Sequence, residues 1–146
     1  MSYEQLKIEN QICFALYACS KEVIRLYKPL LDPLGLTYTQ YIVLLALWEK
    51  DNVTVKELGK RLYLDSGTLT PLLKKLEGQE LIKRKRSRED ERNVYIQLTQ
   101  SGSELQQHVQ MIPEKMFCKT GVSLEQAKVI HKQLHELLRT LIQVEK

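Results

Sequence analysis

Long apolar runs are absent from this sequence. The longest, from Tyr41 to Trp48, falls short of the roughly 20 residues that a helix needs to cross a bilayer. The opening Met1-Ser2-Tyr3-Glu4 lacks the apolar core and cleavage site of a signal peptide, so the chain is expected in the cytoplasm and off the membrane. Cysteine is scarce. Cys13, Cys19 and Cys118 form no CxxC pair and have no histidine at zinc-ligand spacing, which argues against a structural metal. No cofactor is expected either. In a reducing compartment these should be mostly free thiols. Repeats and low-complexity stretches are also missing. Charge of one sign is not in large excess: +4 over 146 residues permits a nucleic-acid partner but argues for one only where it is concentrated locally.

What is present is mostly helix-forming, in a chain of one-domain length. Ile12, Cys13, Leu16, Tyr17, Val23, Ile24 and Tyr27 keep a helical period from Leu6 to Tyr27, and Pro29, Pro33 and Gly35 then break the chain. Cys13 and Tyr17 share a helix face. Spacing alone makes Cys13 a small buried hydrophobe. Thr37-Tyr38-Thr39-Gln40 fits a capping box. It opens a helix to about Lys50 that is apolar nearly all round and should be the central core element. Thr54-Val55-Lys56-Glu57 is a second box, opening a short helix through Leu62. Gly59 within that helix predicts a close approach of other backbone.

A short turn leads into Leu64-Asp65-Ser66-Gly67-Thr68-Leu69-Thr70-Pro71-Leu72-Leu73-Lys74-Lys75-Leu76. Leu69, Leu72, Leu73 and Leu76 make one face. Ser66, Thr68, Thr70, Lys74 and Lys75 make the other. Short hydroxyls can approach base edges, and lysines favour phosphate. Taken alone this is an ordinary amphipathic helix. Two short helices joined so tightly are a helix-turn-helix. Local rules make Thr70 the N-cap and Pro71 the first helical residue; a start nearer Ser66, which loses one hydrogen bond at Pro71, is favoured because Leu69 belongs to the apolar stripe.

Val94, Ile96 and Leu98 alternate as a strand and pair with the run after Leu81 as a hairpin. Between Lys83 and Arg92 six basic and three acidic residues leave +3, most of the chain's excess. By itself this is a solvated loop; next to a helix-turn-helix it is a basic wing able to place an arginine in the minor groove. Thr99 caps a helix expected to run to about Ile112 and stop at Pro113. Ser123-Leu124-Glu125-Gln126 reads as a further capping box. Leu124, Ala127, Ile130, Leu134, Leu137, Leu138, Leu141 and Ile142 then form a long stripe that needs a partner surface, the first helix or another subunit.

The strings Leu64 to Lys74 and Asp90-Glu91-Arg92-Asn93 resemble the recognition helix and wing of MarR-type repressors. Glu9-Asn10-Gln11-Ile12-Cys13-Phe14, Tyr27-Lys28-Pro29-Leu30-Leu31 and Leu36-Thr37-Tyr38 resemble their organic-hydroperoxide-sensing branch, of two-cysteine type. The resemblance implies a mainly α fold with a small β-hairpin wing (α+β), a winged helix-turn-helix and an intertwined homodimer. In it, 1–35 and 100–146 dimerise and 36–99 read operator DNA. Asp65, Ser66, Gly67, Thr68, Thr70 and Pro71 would lie at or near base edges. Lys74, Lys75 and Arg86 would lie near phosphates, and Arg92 in the minor groove, positioned by Asp90. Cys13 would be the peroxide-reactive thiol, with Tyr17 on its face and Tyr27 and Tyr38 hydrogen-bonded to it. Cys118 would be the resolving thiol of the partner subunit, and Cys19 has no assigned role. The family usually has glycine where Glu80 stands here. The expected function is a repressor, not an enzyme, released when peroxide oxidises Cys13. The alternatives are a repressor released by a small phenolic ligand, a thiol peroxidase, and a non-DNA interaction module using the last helix.

Overall fold

Thr37 sets the register of the central helix. The computed structural model describes residues 3–144. Thr37 Oγ1 accepts from Gln40 N, and Gln40 Oε1 accepts from Thr37 N at 2.9 Å, the reciprocal cap the sequence predicts. Helix α2 (Tyr38–Glu49) follows, with Tyr41, Val43, Leu44 and Leu47 buried. It is not apolar-buried all round: Leu45 remains 41% exposed. Before it, α1 (Ile12–Leu31) is preceded by two short 3-10 turns, Glu4–Leu6 and Ile8–Asn10. The sequence placed the break too early. Pro29 lies inside the last turn of α1, where it costs one hydrogen bond but leaves the rest of the ladder intact. The chain turns at Gly35 instead, in the left-handed region at φ +68°. There Leu36 N bonds back to Leu31 O at 3.2 Å, a helix-ending pattern that suits glycine.

Strand β1 (Val53–Thr54) leads through the second capping box into α3 (Val55–Leu62). A Cβ on Gly59 would stand 2.8 Å from Leu64 O, so the close approach predicted there is to the turn between the two short helices. Helix α4 (Ser66–Gly78) starts where the sequence favours, capped by Asp65 and with Pro71 inside. Its Leu69, Leu73 and Leu76 are fully buried. Strands β2 (Ile82–Arg86) and β3 (Val94–Leu98) form the hairpin, and β1 adds to its far side, giving an antiparallel order β1-β3-β2. Helix α5 (Gln100–Val109) is capped by Thr99 as expected. Trp48 Nε1 donates to Gly102 O at 2.9 Å, tying α5 to α2.

The chain divides into two compact units between Gln110 and Met111. The second holds α6 (Ile112–Thr120) and α7 (Leu124–Ile142). Pro113 does not stop a helix, as the sequence reading had it; it sits in the first turn of α6, where its missing N–H is not needed. Ser123 caps α7 through Gln126 N, half of the capping box expected. No residue of α7 is buried: Leu124, Ile130, Leu134, Leu141 and Ile142 of its apolar stripe are exposed, and Leu137 and Leu138 half-buried.

Helix α4 is followed by a strained residue. Glu80 has φ +62°, and Leu81 N and Glu80 N bond back to Leu76 O and Glu77 O. This is the left-handed cap in which glycine is favoured by about 1 kcal/mol. Glu80→Gly should therefore stabilise the protein by roughly that amount, read as a higher denaturant midpoint. An unchanged or lower midpoint would remove the strain argument.

Candidate DNA interface and thiol site

Asp65 is held against the start of α4. Its Oδ1 accepts from Thr68 N at 2.7 Å, and bonds from Thr68 keep its carboxyl below the usual range. An anionic cap opposes the positive end of the helix and fixes the first turn. Ser66, Gly67, Thr68 and Pro71 are exposed there and Thr70 is half-buried; Lys74 and Lys75 are exposed further along. The residues expected to meet DNA thus lie on one open face, with the leucines behind them.

The wing is folded by its own hydroxyl and carboxylate. Ser87 Oγ accepts from Glu89 N and Asp90 N, and Ser87 N donates to Asn93 O. Asp90 then accepts from Arg92 N and Nε at 3.1 Å and from Nη2 at 3.3 Å. These bonds hold the Asp90 carboxyl below its ordinary range. They orient the Arg92 guanidinium while its side chain stays 91% exposed. Arg86 donates to Glu91 O and so shapes the loop as well as offering charge. An ion pair that sequence reasoning missed, Arg84 to Glu77 at 2.9 Å, fastens β2 to α4. Its members are seven residues apart across a turn, a spacing with no helical or strand signature.

The thiol site is only half assembled. Cys13, Cys19 and Cys118 are all exposed and free, so Cys13 is not the buried hydrophobe its spacing suggests. An apolar period marks a face that will be covered, not what covers it. Cys13 stands in the first turn of α1 beside Ile12 and Tyr17, both largely exposed. Tyr17 packs on Phe14, ring centroids 6.4 Å apart, and Lys21 Nζ lies over the Tyr17 ring. Tyr27 and Tyr38 meet each other, centroids 4.8 Å apart. They do not meet Cys13 in the same chain: Tyr27 is fourteen residues further along one continuous helix, about 21 Å at 1.5 Å per residue. The hydrogen bonds expected from these phenols to Cys13 are not made within one subunit.

Tyr41, named from the sequence only as the start of the longest apolar run, completes a cluster of three rings with Tyr27 and Tyr38. Burial, and then the neighbouring phenols, push the Tyr27 hydroxyl up to about 12. Tyr38 and Tyr41 are raised too, mainly by burial. These groups remain phenols at neutral pH and can donate a hydrogen bond to an anion. Beside them Ile24, Leu31, Leu36 and Tyr38 line a hollow between α1 and α2. Among the described residues no cluster of three or more His, Cys, Asp or Glu could hold a metal ion, and no single helix is long and apolar enough to cross a membrane.

Residues 25–109 match the family model "Transcriptional regulator SarA/Rot". The organic hydroperoxide resistance transcriptional regulator of Bacillus subtilis is 51% identical over 97% of this chain and 96% of its own. Among solved structures, reduced AbfR bound to DNA superposes with a TM-score of 0.72 at 38% identity, covering 96% of this chain and 98% of that one. AbfR is a protein of Staphylococcus epidermidis. Its disulfide form superposes at 0.64 and 35% identity, covering 96% of each chain.

Proposed function

This chain belongs to the MarR family of winged-helix transcriptional regulators, in its organic-hydroperoxide branch, and we propose that it is a repressor that holds operator DNA as a reduced homodimer and lets go when Cys13 is oxidised. The observation that carries the DNA part is the wing: Asp90 presents Arg92 while leaving it open to a partner, beside the exposed polar face of α4. Ser66, Gly67, Thr68, Thr70 and Pro71 read base edges, Asp65 fixes the turn that presents them, Lys74, Lys75 and Arg86 neutralise phosphates, and Arg92 enters the minor groove. Arg92→Ala should weaken operator binding about tenfold, measured by titration at fixed salt. A variant that binds as wild type would remove Arg92 from the interface.

The thiol part rests on the separation of Cys13 from Tyr27 and on exposed apolar side chains along α1 and α7. A second copy laid against these faces buries them and can bring the partner subunit's Tyr27 and Tyr38 to Cys13. Phenol donors favour the thiolate, the nucleophilic form. The thiolate attacks the outer oxygen of a hydroperoxide and the O–O bond breaks. The alkoxide takes a proton and leaves as the alcohol, and the sulfur becomes a sulfenic acid. The hollow has an apolar side of Ile24, Leu31 and Leu36 that suits an alkyl chain, with Arg25, Lys28 and Asp32 also in its lining. The partner subunit's Cys118 thiol then attacks that sulfur, water leaves, and a disulfide closes. Its geometry requires the two Cα atoms within about 7 Å, so the helices carrying them are drawn together. The chain works as a regulator in the compartment that holds the DNA, without catalytic turnover.

The test is a non-reducing gel with and without cumene hydroperoxide beside a DNA shift of the same samples. A peroxide-dependent crosslinked dimer that no longer shifts operator supports the proposal. Release with all thiols blocked by alkylation would instead point to a ligand-released repressor.

A further inference from the structure

Among the described residues Gln40 is the buried polar side chain of the core, 4% exposed. Its amide oxygen serves the capping box, accepting from Thr37 N at 2.9 Å. That leaves its Nε2 to be satisfied, and Nε2 donates to Gln79 Oε1 at 3.3 Å. Gln79 Nε2 in turn donates to Gly35 O at 2.7 Å. Gln79 is the residue that closes the C-terminal end of α4, its own N–H bonded to Lys75 O. Gly35 is the left-handed joint between α1 and α2. Two amides therefore clasp that joint to the end of the recognition helix.

The phenols flank the same joint. Tyr38 is the first residue of α2, directly after Thr37, and Tyr27 lies one turn before the end of α1. A displacement of these rings acts on the joint 31–37 from both sides, and on α2 through Tyr41. Helices α2 and α4 also meet directly, each with buried leucines, and apolar packing is non-directional. The clasp is directional, because an amide bond weakens steeply when stretched or tilted and a buried amide left unpaired is costly.

We infer that Gln40 and Gln79 are positioning residues of the redox response: they hold the α1–α2 joint to the C-terminal end of α4, so that a shift of Tyr27 and Tyr38 reorients the recognition helix. This rests on the proposed function, in which the thiol chemistry occurs at those phenols. Without the clasp the joint can move while α4 stays in place.

The experiment uses the full chain, wild type and Gln79→Ala, each reduced and peroxide-treated. Operator affinity and Cys13 oxidation, the latter by mass spectrometry, are measured on the same samples. Gln79 is exposed, so the variant should fold, which its thermal midpoint checks. The expected result is a reduced-state affinity within about twofold of wild type and complete Cys13 oxidation. The ratio of reduced to oxidised affinity should be about three- to tenfold smaller than in wild type. Gln79→Glu, which keeps the acceptor but loses the donor to Gly35 O, should behave the same way. An oxidised Gln79→Ala that releases DNA like wild type overturns the inference and leaves the proposed function standing, as does an equal loss of affinity in both redox states, which is structural damage alone. A wild-type protein that oxidises at Cys13 and keeps its operator overturns both.

Discussion

Cys13→Ser should bind operator as well as the reduced wild type and show no release at any hydroperoxide concentration that leaves DNA intact. The ratio of affinities with and without peroxide should fall to one. A serine hydroxyl keeps the size and polarity of the thiol but has no anion near neutral pH, so the displacement on the O–O bond does not start. The substitution is small and lies on an exposed part of α1, far in sequence from the recognition helix and wing. DNA binding in the reduced state has no reason to change. Cys19→Ser should respond like wild type. Cys118→Ser should still form a sulfenic acid at Cys13, trapped by dimedone, but no crosslinked dimer. A Cys13→Ser protein with normal release would eliminate the thiol mechanism.

The second large effect is on the fold. Gly102 carries the carbonyl that accepts from Trp48 Nε1, and a Cβ there would stand 2.1 Å from Leu81 O and 3.2 Å from Leu98 Cδ2. No rotamer change relieves a clash with a backbone oxygen. Leu81 O also accepts from Thr99 N at 3.1 Å, so pushing it away breaks the cap of α5 and the base of the wing together. Gly102→Ala should cost about 3 kcal/mol or more, at the upper end for one methyl group, read from denaturant unfolding. It should lose operator binding at temperatures where wild type holds. Gly78→Ala makes a fair control: nothing lies within 4 Å of its added Cβ, and in a helix it should be neutral or stabilising by up to about 1 kcal/mol. Equal midpoints for Gly102→Ala and wild type would show that α5 can move away from Leu81.

The parts legible in the sequence were those governed by neighbours along the chain. Caps at Thr37, Thr54, Thr99 and Ser123 stand where a hydroxyl precedes a helical period, whereas the Asp65 cap of α4 was not read from the sequence. Pro71 was placed correctly inside α4 because Leu69 belongs to its apolar stripe. Two other prolines were misjudged, Pro29 as a break and Pro113 as a stop, since proline at a helix end and proline at a helix start look alike without the hydrogen bonds. Strand β1 went unseen because its two residues become a strand only by pairing with Tyr95 and Ile96. Of the site, the polar face of α4 and the Asp90–Arg92 pair were readable from spacing and resemblance. The Gln40–Gln79 clasp and the Arg84–Glu77 pair join residues that only folding brings together. Tyr41 carried no assignment in the sequence beyond opening the longest apolar run; it is buried core and the third ring behind the two phenols.

The most direct test of the account is the distance between the two α4 helices of the dimer in each redox state. Spin labels attached at position 78, an exposed site near the end of α4 where an added side chain meets nothing within 4 Å, through an unnatural side chain that leaves the thiols untouched, would report it by pulsed electron spin resonance. The account predicts one distribution in the reduced dimer and, after peroxide, a second displaced by several ångströms, with the shift absent in Cys13→Ser. The same distribution before and after complete oxidation of Cys13, in protein that has released its operator, would contradict it.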